Sequence, residues 1–144
     1  MDWLLVNPGS GGGRAFRQMA AVRSRMKEHA VTCEEKIAET VPEIRDVAMK
    51  AVASQVSRLW VMGGDGSMAA AAGELCYSPT RLCPLPGGTA DVFCRELGVP
   101  LNAAAAVTSI LEGDPLSLDV GQIRNADEGD SQAGVKFLLM ASTG

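Results

Sequence analysis

Glycine and hydroxyl residues recur together in three short clusters, which we call loops L1, L2 and L3. The three loops span residues 7–14, 63–67 and 86–91. Each contains a hydroxyl side chain, in turn Ser10, Ser67 and Thr89. Glycine lets the backbone approach a ligand closely and adopt a positive φ, so that successive N–H groups can converge on an anion. The composition of the loops therefore predicts a phosphate-binding site.

L2 also carries a carboxylate, Asp65, between its glycines. A carboxylate repels a phosphate directly, but it becomes favourable where a divalent cation bridges the two groups or where it orients a reacting hydroxyl. A single glycine-rich turn is more often only a tight turn, whereas three such turns with one acid favour a nucleotide or phosphate site. L1 is not a P-loop, since no Gly-Lys-Ser/Thr follows, and it is not the dinucleotide fingerprint.

The elements around the loops are predicted from hydrophobic periodicity. Apolar runs predict strands over 3–6, 31–38, 58–62, 81–86, 116–124 and 134–141. Helical spacing predicts helices over 14–28, from Thr40 onward, and over 67–75, 89–97 and 103–112. The alternation predicts an α/β fold: a largely parallel sheet with helices on both faces, ending in an antiparallel hairpin. All three loops then lie at the carboxyl edge of the sheet, where ligands bind in such folds.

Two of these helices carry more specific expectations. The helix over 14–28 is expected to bury one apolar face, formed by Phe16, Met19, Val22 and Met26. Thr40 and Glu43 have the spacing of a capping box, in which each side chain accepts a hydrogen bond from the other residue's backbone. The second helix is therefore expected to begin directly after Thr40.

Composition restricts the function classes further. The 144 residues are 47% hydrophobic and 21% charged, which suits one folded domain rather than a disordered chain. No apolar run approaches the roughly 20 residues of a membrane-spanning helix, and the first residues do not resemble a signal peptide. A net charge of −4 argues against a nucleic-acid partner. Four cysteines without a CxxC pair, beside a single histidine, predict reduced thiols in a cytoplasmic protein rather than a zinc site.

The three loops resemble the signature blocks of a known family. Residues 7–11 (NPGSG), 63–67 (GGDGS) and 86–95 (PGGTADVFCR) are similar to the patterns NPxSGxG, GGDGT and PxGTxNDxAR of the diacylglycerol kinase catalytic domain family. That family includes bacterial lipid kinases, sphingosine kinases and ceramide kinases. The order and separations of the blocks also match, and the resemblance extends over essentially the whole chain.

The resemblance implies an ATP-dependent lipid kinase that transfers the γ-phosphoryl group to the hydroxyl of a lipid such as diacylglycerol. Its cofactors would be ATP and Mg²⁺. Residues 1–144 would form the N-terminal ATP-binding domain of a two-domain kinase, and a β-rich C-terminal domain, absent from this chain, would close the cleft. Such a protein would be cytoplasmic and would meet its lipid peripherally at a membrane surface. A second copy of the chain is a further candidate partner.

The resemblance also implies roles for individual residues. Asp65 would be the catalytic carboxylate and the ligand of Mg²⁺. The nucleotide-binding residues would be Asn7, Pro8, Ser10, Gly11, Arg14, Thr40, Gly63, Gly64, Gly66, Ser67, Gly88, Thr89 and Asp91. For Thr40, the capping box is an equally good explanation.

The chain also departs from the family pattern. Ser67 stands for the usual threonine, which keeps the hydroxyl, and Asp91-Val92 stands for the family's Asn-Asp pair. The family's general base lies in the C-terminal domain, so we expect this chain alone to bind nucleotide weakly and to catalyse little. Two alternatives stay open: a kinase for a soluble substrate, of the NAD-kinase type, and a nucleotide-binding module without catalytic activity.

Overall fold

The strands that carry the three loops form a four-stranded parallel sheet. A computed structural model describes residues 1–123 and 134–138 of the chain. The strands are β1 Asp2–Val6, β2 Cys33–Ile37, β3 Arg58–Gly63 and β4 Arg81–Pro86, and their order in the sheet is β2-β1-β3-β4. The chain winds outward from β1 to β2 and then returns past β1 to β3. The point where the winding direction reverses therefore lies between β1 and β3.

Helices cover both faces of this sheet, which confirms the predicted fold class. They are α1 Ser10–Glu28, α2 Val41–Ala53, α3 Asp65–Leu75, α4 Val92–Glu96 and α5 Ala103–Glu112. Alternate residues of β1 point to opposite faces: Leu4 and Val6 are buried with α1 and α5, and Trp3 and Leu5 with α2 and α3. A sheet that is buried on both faces explains why its strands are continuous apolar runs in the sequence.

The first helix corrects one prediction about the core. Phe16 is 68% exposed, and Ala15 is fully buried in its place, with Met19, Val22 and Met26. A bulky side chain does not fit at position 15, because α1 passes so close to L3 that a Cβ on Gly87 would lie 2.9 Å from the Cβ of Ala15. The face that meets the sheet therefore starts one residue earlier than predicted.

The starts of α2 and α4 are set by local hydrogen bonds and backbone geometry. The capping box is confirmed: the Thr40 hydroxyl accepts from Glu43 N, and the Glu43 carboxylate accepts from Thr40 N at 3.0 Å. The helix predicted over 89–97 begins only at Val92, because Asp91 has the left-handed angles φ 48° and ψ 45°. Asp and Asn tolerate this conformation better than most residues do.

The predicted hairpin is present but shorter on its first strand. β5 Gly121–Ile123 pairs antiparallel with β6 Val135–Phe137. The prediction of a strand over 116–120 is wrong: these residues have no strand structure, since no strand among the described residues pairs with them, and 116–119 are exposed. The predicted turn over 125–133 and the strand end over 139–141 lie outside the described residues. In residues 1–123 and 134–138, no helix is long and apolar enough to cross a membrane.

Candidate phosphate-binding site

L1 and L2 meet at the carboxyl edge of the sheet, where the winding direction reverses. The backbone N–H of Asn7 donates to Met62 O at 2.9 Å, which continues the pairing of β1 with β3. The side-chain amide of Asn7 donates to the Ser67 hydroxyl at 3.3 Å. In open α/β sheets, ligands bind in the crevice at this reversal point. The sequence prediction that the loops share one edge is thus confirmed for the described chain.

Several glycines are required for the loops to touch one another. A Cβ on Gly11 would lie 2.5 Å from Gly87 O, and one on Gly88 would lie 2.5 Å from the Cα of Gly64. Heavy atoms cannot approach so closely without displacement of the backbone. These glycines bring the three loops into backbone contact. The sequence suggested glycines that serve a ligand, and it gave no sign of this packing role.

Gly12 and Gly66 differ from these packed glycines, because nothing lies within 4 Å of a Cβ added to either. Gly66 is in the first turn of α3 and has no positive φ. A glycine inside a helix costs about 1 kcal/mol relative to alanine. Neither conformation nor packing inside the described chain requires glycine at position 66. The open space beside it suits the close approach of a ligand to the backbone.

Backbone amides at the start of α3 suit an anion in that space. The first hydrogen bonds of this helix are donated by Ser67 and Met68 to Gly64 O. The amides of Asp65 and Gly66 precede them, so they have no intrahelical acceptor. Together with the positive end of the dipole of this 11-residue helix, they make its N-terminus attractive to phosphate. Loop geometry and donors therefore fit the phosphates of a nucleotide.

Asp65 is half-buried, and its carboxylate is held by the start of α4, directly after L3. Its Oδ1 accepts from Phe93 N at 2.9 Å and its Oδ2 accepts from Val92 N at 3.1 Å. A carboxylate has about four lone-pair positions, so roughly two remain for a further partner. No cluster of three or more His, Cys, Asp or Glu side chains occurs in the described ranges. A single carboxylate can hold Mg²⁺ only where phosphate oxygens and water supply the other ligands, which is the usual arrangement for this ion.

Asp91 is buried inside L3 and has protein partners on both oxygens. Oδ1 accepts from Gly88 N at 2.8 Å, and Oδ2 accepts from Arg14 Nη1 at 3.0 Å. Val92, the next residue, is 39% exposed at the position where the family pattern has an acid. Cys94 is buried nearby, and its burial raises the pKa of the thiol to about 12, so it stays protonated at neutral pH. Asp91 is only 3% exposed and is paired with an arginine, so the half-buried Asp65 is the carboxylate of these loops that a ligand can reach.

The remaining predicted residues are placed as follows. Pro8 and Ser10 are half-buried in L1, and a Cβ on Gly64 would lie 3.2 Å from the Ser10 hydroxyl oxygen. Thr89 is exposed on L3. Thr40 follows β2 at the same edge, but its hydrogen bonds are with Glu43 of its own helix. The structure therefore brings L1, L2 and L3 together and gives Thr40 a local role.

The sequence did not reveal an apolar groove beside L3. The groove has a volume of about 450 Å³ and is lined by Val92, Phe93, Glu96, Leu97, Leu118, Asp119 and Leu138. It begins at the two residues whose amides hold Asp65. The sequence feature that could have indicated this groove is the apolar content of 116–120, which by itself predicts a strand.

Comparison with known proteins shows what the sequence and the fold are similar to. The model of the family described as "diacylglycerol kinase catalytic domain" matches residues 3–123. Curated relatives include a diacylglycerol kinase of Mycobacterium tuberculosis, 30% identical over 97% of this chain and 44% of that protein, and one of Staphylococcus aureus, 24% identical over 85% and 39%. A crystal structure of a diacylglycerol kinase from Bacillus anthracis aligns with a TM-score of 0.67 and 25% identity, over 85% of this chain and 43% of that one. The chain thus spans less than half the length of these relatives.

Proposed function

Because the chain belongs to the diacylglycerol kinase catalytic domain family, we propose that it is the ATP-binding part of a lipid kinase. The proposed reaction transfers the γ-phosphoryl group of ATP to the hydroxyl of a lipid such as diacylglycerol. One observation carries the proposal: three glycine loops and the Asp65 carboxylate meet where the winding of a parallel sheet reverses.

In this proposal the loops hold the phosphates of ATP. The amides of Asp65 and Gly66 and the dipole of α3 attract the negative charge, and the hydroxyls of Ser10 and Thr89 add donors. The open space beside Gly12 and Gly66 lets phosphate oxygens reach the backbone. Fixed donors of this kind stabilise the charge that develops during phosphoryl transfer.

Asp65 is proposed as the catalytic carboxylate. The hydrogen bonds that it accepts from two backbone amides fix the orientation of the carboxylate. Its remaining lone pairs can hold a cation beside the phosphates or orient the acceptor hydroxyl. Mg²⁺, when bound with ATP, would supply charge neutralisation at the phosphates. Because Val92 and Phe93 also line the apolar groove, an acceptor that reaches Asp65 meets an apolar surface.

The whole protein's properties are part of the same proposal. The chain covers 44% of the Mycobacterium tuberculosis relative's length. We propose that residues 1–144 are the N-terminal domain of a two-domain kinase, and that a β-rich C-terminal domain supplies the general base. The chain alone would then transfer little phosphate. The whole protein would work in the cytoplasm and contact its lipid peripherally at a membrane surface. A homodimer is its candidate assembly.

A phosphorylation assay with the protein in its full natural length tests this function. Labelled ATP and Mg²⁺ are incubated with vesicles containing diacylglycerol, and Asp65→Asn is compared with wild type. We expect the variant to lose at least about a hundredfold in rate, because a charged group in contact with the reacting atoms contributes on this scale. The control is Asp46→Asn, which removes an exposed carboxylate paired with Lys50 and should leave the rate unchanged. Equal rates for Asp65→Asn and wild type would refute the assignment.

Val92 favours a second candidate, a nucleotide-binding module without catalytic activity. Val92 N donates to the Asp65 carboxylate, but the Val92 side chain is an exposed apolar group where the family pattern has an acid. A calorimetric titration with MgATP beside the phosphorylation assay separates the candidates: MgATP binding without phosphorylation of any acceptor would favour the module. A parallel reaction with NAD as a soluble acceptor distinguishes a lipid kinase from a kinase of the NAD-kinase type.

A further inference from the structure

Arg14 forms three hydrogen bonds to backbone and side-chain oxygens of the chain that follows β4. Its Nη1 donates to Gly88 O at 3.1 Å and to Asp91 Oδ2 at 3.0 Å, and its Nη2 donates to Leu101 O at 2.7 Å. A guanidinium has five N–H donors, so a large part of its capacity is directed at the protein. The Arg14 side chain is 34% exposed, whereas that of Asp91 is 2% exposed.

The Asp91 carboxylate depends on this partner. A buried carboxylate that loses its counter-charge is strongly destabilising, because its desolvation is no longer offset. Where the family pattern has a neutral asparagine, this chain has an acid together with Arg14. The guanidinium thus neutralises the extra charge and also joins L1 to L3.

The same contacts continue to Asp65. Asp91 is held by Arg14 and by Gly88 N, and the two residues after it, Val92 and Phe93, donate their amides to the Asp65 carboxylate. Any change in the position of Asp91 therefore moves the two donors that orient Asp65. The path runs through adjacent residues and direct hydrogen bonds at every step.

We infer that Arg14 is a positioning residue for the nucleotide site and not one of its phosphate ligands. Through the Arg14–Asp91 pair it fixes L3 against L1 and sets the orientation of Asp65. The inference rests on the proposed function, since it concerns the same site. It replaces the expectation that Arg14 binds the phosphates of ATP directly.

A matched set of variants tests this role in the full-length protein. Arg14→Met removes the guanidinium, and Arg14→Met with Asp91→Asn also removes the buried charge, as in the family pattern. Arg58→Met is the control, because Arg58 also pairs with a buried acid, Asp2. The side chains of Arg58 and Asp2 are 33% and 6% exposed, close to the values for Arg14 and Asp91. The readouts are the melting temperature, the Kd of MgATP, and hydrogen–deuterium exchange in a peptide that covers 91–97.

We expect Arg14→Met to raise the Kd and the exchange rate over 91–97 about tenfold each, which corresponds to about 1.4 kcal/mol, because the hydrogen bonds that fix L3 against L1 are lost. In the double variant both values should return to within about threefold of wild type, because the uncharged amide introduced at position 91 still accepts from Gly88 N. Arg58→Met should lower the melting temperature as Arg14→Met does, with the Kd and the 91–97 exchange unchanged. If Arg14→Met does not fold, Arg14→Lys should show the same losses, because an ammonium is a single point of contact that cannot span all three oxygens.

Two results in the variants would overturn the inference. A double variant that keeps the full affinity loss while 91–97 regains its protection would make Arg14 a phosphate ligand. Unchanged affinity and exchange in Arg14→Met would show that the pair positions nothing. Failure of the proposed function has a different signature, namely wild-type protein that binds MgATP and phosphorylates no acceptor, and the Kd and exchange readouts then still decide the role of Arg14. Wild-type protein that does not bind MgATP would overturn both.

Discussion

The two edges of the sheet hold similar ion pairs in different surroundings. At the amino edge, Asp2 accepts from Arg58 Nε at 2.7 Å and from the buried Trp60 Nε1 at 3.1 Å. At the carboxyl edge, Asp91 accepts from Arg14 and from a backbone amide. In each pair the acid is buried and the arginine is about one-third exposed.

The difference lies in what each pair connects. The amino-edge pair lies within two neighbouring strands, so it reinforces a sheet that hydrogen bonds already fix. The carboxyl-edge pair joins loops whose contacts are otherwise largely backbone against backbone at glycines. Burial and charge alone therefore do not reveal which pair serves a site. The pair that serves a site is recognised by its connections to a half-buried carboxylate and to backbone donors that have no acceptor in their own helix.

The largest predicted effect concerns the glycine contacts of the carboxyl edge. Gly88→Ala should lower the free energy of unfolding by about 3 kcal/mol, because its Cβ would lie 2.5 Å from the Cα of Gly64 and the backbone must move. Gly66→Ala is the matched control: its Cβ meets only open space, so stability should stay or rise, while MgATP affinity falls. Denaturant unfolding measures the first and calorimetry the second. Equal stability losses in the two variants would contradict the division into packed and open glycines.

The amino-edge pair should give the next largest effect. Arg58→Met is expected to cost about 2 kcal/mol, less than for a fully buried pair because the guanidinium is partly exposed. Asp2→Asn in the same chain should recover most of this loss, since the amide oxygen can still accept from Trp60 Nε1. Arg23→Met, at the exposed pair with Glu35, is the control and should cost no more than about 0.5 kcal/mol. The comparison of edges fails if the exposed pair costs as much as the buried one.

A smaller effect separates the two explanations for Thr40. Thr40→Ala should lower the free energy of unfolding by about 1 kcal/mol, the usual cost of a lost N-cap. MgATP affinity should not change, because the hydroxyl is used by Glu43 N. Thr40→Ser keeps the cap and serves as control in both unfolding and titration measurements. Weaker binding by Thr40→Ala at full stability would make this residue a nucleotide contact instead.

The smallest predicted effect is on the pH dependence of stability, and it concerns one buried thiol near each ion pair. Burial raises the pKa of Cys83, near Asp2 and Arg58, and of Cys94, near Asp91, from 9.0 to about 12. A raised pKa in the folded state means that stability is complete below pH 9 and is lost as pH rises toward 12. Unfolding measured from about pH 8 to about pH 9.5 should show a decline of about 0.8 kcal/mol for each thiol, and Cys83→Ala or Cys94→Ala should each reduce its slope. A decline with the wild-type slope in both variants would refute the assignment to these thiols.

Much of the fold could be predicted from the sequence because its signals are local. Apolar strand runs, the Thr40 capping box and the glycine clusters each lie within a few residues, and the alternation of strands and helices defines the sheet. Phe16 and the strand over 116–120 were predicted wrongly for a common reason. Their environments depend on distant partners: the close passage of L3 in one case, and the absence of a pairing strand in the described residues in the other.

The candidate site was predictable in composition and less so in connectivity. Asp65 and the three loops follow from residue types and spacing. That Val92 and Phe93 hold Asp65, and that Arg14 is bonded to L3, are contacts between residues 27 to 77 positions apart in the chain. No local pattern encodes such pairs. The structure was needed to separate residues that line the open space from those that hold the loops together.

Hydrogen–deuterium exchange of the full-length protein, with and without MgATP, tests the central claim most directly. The account predicts slower exchange in peptides covering L1, L2 and L3, and unchanged exchange in peptides covering the amino edge at Asp2 and Arg58. Protection limited to the amino edge, or no protection in any of the three loops at saturating MgATP, would contradict a phosphate site built from these loops.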